Sequence, residues 1–106
     1  MTNNTCTKTP VGITMSVIGG KWKLLILWHV SQHTMRFGEL MKKMEGITQK
    51  MLTQQLRELE TDKLISRKVF LEVPPHVEYS ITPYGKTLEP VLQMMCDWGE
   101  RHKKKI

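Results

Sequence analysis

Residues 49 to 57 read Gln49-Lys50-Met51-Leu52-Thr53-Gln54-Gln55-Leu56-Arg57, rich in hydrogen-bonding side chains and free of acids. On a helix, at about 100° per residue, Gln49, Thr53, Arg57, Lys50 and Gln54 fan across roughly 140° of one side. Leu52, Leu56 and Leu59 gather on the other side, between roughly 280° and 340°. The polar set matches the DNA major groove: Arg and Lys donate to guanine, Gln pairs with adenine, and Thr reaches a phosphate or a thymine methyl. An ordinary solvent-facing helix mixes Asp and Glu into such a face, whereas here Glu58 and Glu60 come near the helix end. The chemistry on offer is recognition of base edges rather than bond making. Thr48 stands where it would cap the helix start, and it counts with Gln49, Lys50, Thr53, Gln54 and Arg57 among the DNA-binding candidates.

Other cations extend the pattern. Lys42, Lys43, Arg67, Lys68 and His76 are candidates for flanking phosphates, which position a protein on a duplex without reading its sequence. Lys21 and Lys23 interrupt an apolar segment and are read as snorkelling out of a core. The four His and two Cys are scattered and contain no Cys-x-x-Cys pair, so no metal site and no cofactor is expected. His29 is read as a core histidine and Cys96 as a small apolar helix residue. No Gly-rich phosphate loop, nucleophile elbow or triad is evident, so the chain reads as a non-enzyme.

A length of 106 residues fits one domain, and 40% apolar residues suffice for a core near the small end of what folds unaided. Two cysteines build neither a disulfide scaffold nor a four-thiolate site. No signal-peptide pattern opens the chain, and no run approaches the ~18 apolar residues of a membrane span. Secreted and membrane classes are disfavoured, leaving a cytoplasmic protein that would work at the nucleoid. The net charge of +6 and pI near 9.5 imply a polyanionic partner. That excess is segregated: residues 1–71 hold eleven basic and five acidic side chains, residues 72–100 one and five, and the tail 101–106 four basic ones.

The elements that must position these residues follow from periodicity. Pro10 opens a helix with Val11, Met15 and Ile18 as its apolar stripe, ended by Gly19-Gly20. Lys21–Ser31 reads as a core helix, apolar nearly all round. A short extended piece (35–37) and a short helix (38–44) lead through Glu45-Gly46-Ile47 to the helix from Gln49 to about Asp62. Residues 65–73 alternate as a strand, Pro74-Pro75-His76 breaks it, and Val77, Tyr79 and Ile81 alternate as a second strand. Thr82-Pro83 caps a long last helix through about His102, kinked at Pro90. Its apolar side, Leu88, Val91, Leu92, Met94, Met95 and Trp98, exceeds what one core needs, as a helix packed on a second chain would. The fold class is α+β, mostly α: a winged helix-turn-helix whose last helix is a candidate for dimerisation. An arm at 1–8, a domain at 9–102 and a basic tail at 103–106 complete the expected layout.

The segments Ile18-Gly19-Gly20-Lys21-Trp22-Lys23-Leu24-Leu25-Ile26-Leu27, Arg36-Phe37-Gly38-Glu39-Leu40 and Ile47 through Glu60 resemble the HxlR-type winged helix-turn-helix regulators. Val73 through Thr82 and Cys96-Asp97-Trp98-Gly99-Glu100 extend the resemblance to residues 9–101. It implies a small dimeric bacterial transcription regulator, distantly similar to the MarR group, on a dyad-related operator in double-stranded DNA. The first and last helices would make the dimer, through Val11, Met15, Leu88, Val91, Leu92, Met95 and Trp98. Repression by occupancy is the expected mode, with a small molecule or electrophile as effector.

Many members carry a cysteine immediately before the Pro-Val of the first helix, and some use it as a thiol sensor. Here Thr9 holds that position and the nearby thiol is Cys6, so sensing by Cys6 stands beside an incidental exposed cysteine as an open alternative. The rival functions are a winged-helix protein-interaction module without specific DNA binding, and a ligand-gated sensor without a thiol role.

Overall fold

The computed structural model describes residues 9–105. Helix α1 (Pro10–Ile18) starts as the sequence predicts: Thr9 caps it by accepting the Gly12 N–H, and Pro10 fills the first turn, where its missing N–H is no loss. Helix α2 (Lys23–Gln32) begins two residues later than expected and buries Lys23, Ile26, Leu27 and Val30. Strand β1 (Met35–Arg36), helix α3 (Phe37–Lys43) and helix α4 (Gln49–Thr61) follow, then strands β2 (Ile65–Phe70) and β3 (His76–Ile81). A 3-10 turn (Gly85–Leu88) precedes the last helix, α5 (Glu89–Lys103). No single helix among the described residues is long and apolar enough to cross a membrane.

The strands form one antiparallel sheet in the order β1-β3-β2, with Met35 opposite Tyr79 and Arg67 opposite Tyr79 on β3's two sides. The core lies between α2, α4 and the base of this sheet. It contains Ile26, Leu27, Leu40, Leu52, Leu56, Leu59, Leu64 and Ile65, with Leu92 of α5 closing one side. Two local devices fix the ends of α4. Gly46, at φ +92°, makes the turn after α3 that a side chain would strain. Beyond the helix, Lys63 takes the left-handed conformation (φ 63°), with its N–H on the Glu60 carbonyl and the Leu64 N–H on that of Leu59.

Three expectations need correction. The first strand stops at Phe70, not residue 73: Leu71 and Val73 are 92% and 99% exposed, because the hairpin tip has left the core behind. Pro90 does not kink the last helix. The 3-10 turn ends before α5 begins, and Pro90 falls in α5's first turn, where proline is favoured. Accordingly, Thr82 caps the 3-10 turn instead of a long helix. Its Oγ1 accepts the Gly85 N–H and donates to the Lys63 and Leu64 carbonyls, tying β3 to the end of α4. Gly85 lies so close to the Leu64 carbonyl that a Cβ would collide with it.

Candidate nucleic-acid interface

Helices α3 and α4 form a helix-turn-helix, and its second helix carries the candidate face. Thr48 adopts an extended backbone and its Oγ1 accepts the Met51 N–H at 3.0 Å, so α4 starts at Gln49. Leu52, Leu56 and Leu59 are buried on the inner side. Gln49, Lys50, Thr53, Gln54 and Arg57 line one open groove on the outer side. Lys50 and Arg57 are in no ion pair among the described residues, so both cations are available to an outside anion. Thr53 turns its hydroxyl back onto the Gln49 carbonyl at 2.9 Å.

The hairpin separates two residues that adjoin in sequence. Arg67 lies on the side of β2 that meets α4, sharing a recess with Thr53, Arg57, Glu60 and Tyr79. Lys68, on the opposite side, places its ammonium 5.0 Å from the Phe70 ring centroid. His76 stacks on Phe70 with ring centroids 4.6 Å apart. Its Nδ1 lies 3.2 Å from Glu72 and its Nε2 3.1 Å from Glu78, so both nitrogens face carboxylates within the hairpin. Lys42 and Lys43 are exposed in the last turn of α3, where they complement its dipole.

Lys23 departs from the sequence reading. Instead of snorkelling outward it is 8% exposed, and its Nζ lies 2.7 Å from Glu58 Oε1. The other Glu58 oxygen accepts the Gln54 Nε2 at 3.2 Å. The bonds from Lys23 and Gln54, with the Lys23 charge, hold the Glu58 carboxyl below its ordinary pKa. Lys21 is exposed, its ammonium 4.7 Å from the Trp22 ring centroid.

His29 is half-buried, and burial, Lys43 and His33 together lower its pKa, which favours the neutral ring. His29 and His33 stand four apart, but His33 has left the helix in an extended conformation and its ring faces the Thr34 carbonyl. Among the described residues no three metal-binding side chains converge.

The candidate dimer residues divide into two groups. Val11 (75% exposed), Met15, Val91, Met95 and Trp98 (59%) are open to solvent, as are Ile13 and Met94, of which Ile13 was not singled out by the stripe. Leu92 is buried in the chain's own core and Leu88 packs against it. Cys96 is not a packed helix residue: it is exposed, at the edge of a shallow apolar cleft with Leu24, Leu25, Trp28, Leu92 and Met95. Cys6 lies outside the described residues.

Known proteins share this arrangement. The chain is 54% identical over 97 residues to the HTH-type transcriptional regulator YdeP of Bacillus subtilis (strain 168), covering 92% of this chain and 76% of YdeP. The structure of the redox regulator HypR in its oxidized form superimposes with a TM-score of 0.84 at 49% identity, covering 88% of this chain and 96% of HypR. The reduced form gives 0.86 at 48% identity, covering 90% and 94%. The profile of the HxlR-like helix-turn-helix family matches residues 17–106, and with α3, α4 and the β2–β3 wing all in place, the chain belongs to that family of transcriptional regulators.

Proposed function

We propose that two copies of this chain bind a dyad-related operator, each placing α4 in a major groove about one helical turn from the other. One observation carries this reading: Gln49, Lys50, Thr53, Gln54 and Arg57, none of them acidic, share one open patch on the outer side of α4, and Glu58 beside Gln54 is paired with Lys23. Thr48 holds the start of that helix. Lys42, Lys43, Arg67 and Lys68 supply phosphate contacts around it, and the His76 cluster stiffens the wing that carries Lys68. The exposed apolar side chains of α1 and α5 support pairing of the two copies through Val11, Met15, Val91, Met95 and Trp98, with Leu88 and Leu92 backing them from the core. Occupancy of a promoter would make the protein a repressor.

Salt titration of DNA binding tests the reading. Each phosphate contact steepens the fall of log K with log salt by about 0.9. Lys43→Ala should weaken specific and random DNA alike, with a shallower slope. Gln49→Ala should weaken the specific site more than random DNA. Absence of binding to every genomic fragment at low salt would leave the protein-interaction reading instead.

A redox response is the second reading, favoured by the likeness to a regulator described as a redox regulator and by the thiols Cys6 and Cys96. Diamide treatment should then release DNA, and release that survives Cys6→Ser would remove Cys6 from the response.

A further inference from the structure

We propose that Lys23 and Glu58 fix the hydrogen-bond polarity of Gln54, making it a reader of adenine that discriminates against guanine. This rests on the reading of α4 as the DNA-contacting helix. Lys23 comes from the neighbouring helix α2, is almost fully buried, and holds Glu58 Oε1 at 2.7 Å. Glu58 Oε2 in turn meets the Gln54 amide at 3.2 Å. An ionised carboxylate accepts hydrogen bonds and has none to give, so only the amide nitrogen of Gln54 can face it. The Lys23 ammonium, seated on Oε1, holds that carboxylate in position for Gln54 and favours its charged form.

The amide of Gln54 therefore has its nitrogen toward Glu58 and its oxygen away. One N–H is engaged, and one N–H and the oxygen remain. Adenine shows the major groove an acceptor, N7, beside a donor, the N6 amino group, and this pair complements what Gln54 has left. Guanine shows two acceptors, N7 and O6. An untethered amide can turn both N–H groups toward them, whereas the tethered one has a single N–H to offer and would bring its oxygen against an acceptor. Gln49 stands in contrast, with no side-chain partner among the described residues to set its polarity. Lys23 thus acts as a positioning residue, through Glu58, on a base contact it does not touch.

The test selects bound duplexes from a randomised pool with the full chain, then measures single-base variants of the selected site for wild type, Gln54→Ala, Glu58→Gln, Lys23→Met and the double variant Glu58→Gln/Gln54→Ala. Wild type should prefer adenine over guanine roughly tenfold at one position per half-site, within the range of a bidentate base contact. Gln54→Ala should flatten that position alone. Glu58→Gln introduces an amide that donates as well as accepts, and it should reduce the preference there to about twofold. Lys23→Met should do the same. Their effects on random DNA should be opposite, Glu58→Gln tighter and Lys23→Met weaker, following the change in net charge. The double variant should flatten the position no further than Gln54→Ala does.

If Gln54→Ala alters no base position, the reading of α4 fails at this residue and the tether with it. If Gln54→Ala flattens a position while Glu58→Gln keeps the full preference there, the reading stands and the tether is overturned. Equal loss at every position, or a guanine preference at the Gln54 position, also overturns it. Glu58 is about half exposed, so Glu58→Gln decides the matter even where Lys23→Met folds poorly.

Discussion

Thr48→Ala and Thr53→Ala are the same chemical change in the same helix, and the structure gives them different signs. Thr48 precedes the first turn of α4 with an extended backbone (φ −87°, ψ 158°), and its hydroxyl accepts the Met51 N–H. Alanine leaves that N–H without its side-chain partner, a loss that costs about 1 kcal/mol at helix starts. Thr53 lies inside the helix and donates to the Gln49 carbonyl, an acceptor that the helical ladder already serves. Alanine there removes a β-branch and gains about 0.5 kcal/mol of helix propensity, offset in part by lost contacts of a half-buried side chain. For a domain near this size, 1 kcal/mol moves the melting temperature by roughly 4–8 °C. Thermal melts at one fixed protein concentration, which holds any dimer linkage constant, should place Thr48→Ala that far below wild type. Thr53→Ala should melt at or slightly above it, and Thr48→Ser should restore the wild-type value. Equal losses for both alanine variants, or a Thr48→Ser as unstable as Thr48→Ala, would refute the capping argument. Thr53→Ala should still bind its specific site less well, because a side chain of the proposed reading face is shortened while the fold is intact.

Two further outcomes follow from other parts of the molecule. An unfolded histidine titrates near 6.5, and burial, Lys43 and His33 lower His29 below that in the folded chain. As pH falls through 6.5 the unfolded state takes up the proton first, so His29's contribution is complete above that pH and declines below it. Denaturant midpoints at pH 7.5 and 5.5 should therefore converge in His29→Gln, and an undiminished difference would exclude this residue as the cause. Trp98→Asp places a charge on the exposed apolar side of α5 and should shift sedimentation toward the monomer, with DNA affinity falling steeply as the two half-sites are no longer bound together. A variant that sediments as wild type would move the pairing surface away from α5.

The sequence carried α4 well because two independent signals coincide there. Thr48 marks its start and the leucine period of 52, 56 and 59 marks its buried side, so start and rotation of α4 are both set locally. The wing was less legible. Alternation continues through Leu71 and Val73, but alternation reports burial only while a core lies beneath, and the tip of this hairpin has none. Pro90 misled for a different reason: whether proline breaks or begins a helix depends on where the preceding turn ends, and the Gly85–Leu88 turn has no strong sequence mark. The position of Lys23 was hidden most fully. A lysine in an apolar stretch reads as snorkelling unless its counter-charge is known, and Glu58 sits on a helix that only tertiary packing brings within reach. Cys96 shows the same limit on α5, since a small apolar residue says nothing about which side of a sparsely packed helix it occupies.

On the proposed reading, the charges of α4 would divide attraction to DNA and reading of DNA between different elements. Within Gln49–Thr61, Lys50 and Arg57 are matched by Glu58 and Glu60, so the helix has no formal net charge. Such a helix exerts little attraction on a polyanion beyond a Debye length of about 8–10 Å. The positive partial charge at its N-terminus is also short-ranged. The longer-range field would come from exposed cations on other elements, among them Arg36 of β1, the Lys42–Lys43 pair of α3, and Arg67 and Lys68 on β2. The acids of α4 are kept from opposing it by position and pairing. Glu58 is turned toward a buried lysine, and Glu60 lies in the recess beside Arg57 and Arg67. This division has a mechanical advantage for a small regulator. Phosphate contacts from α3 and the wing would hold the chain on any duplex, while the uncharged amides of α4 would sample base edges without adding sequence-independent affinity. On the proposed reading, specificity would then depend on few side chains, and the orientation of each would matter more than its strength, which is the condition under which a buried Lys23–Glu58 pair one helix away would govern what Gln54 reads.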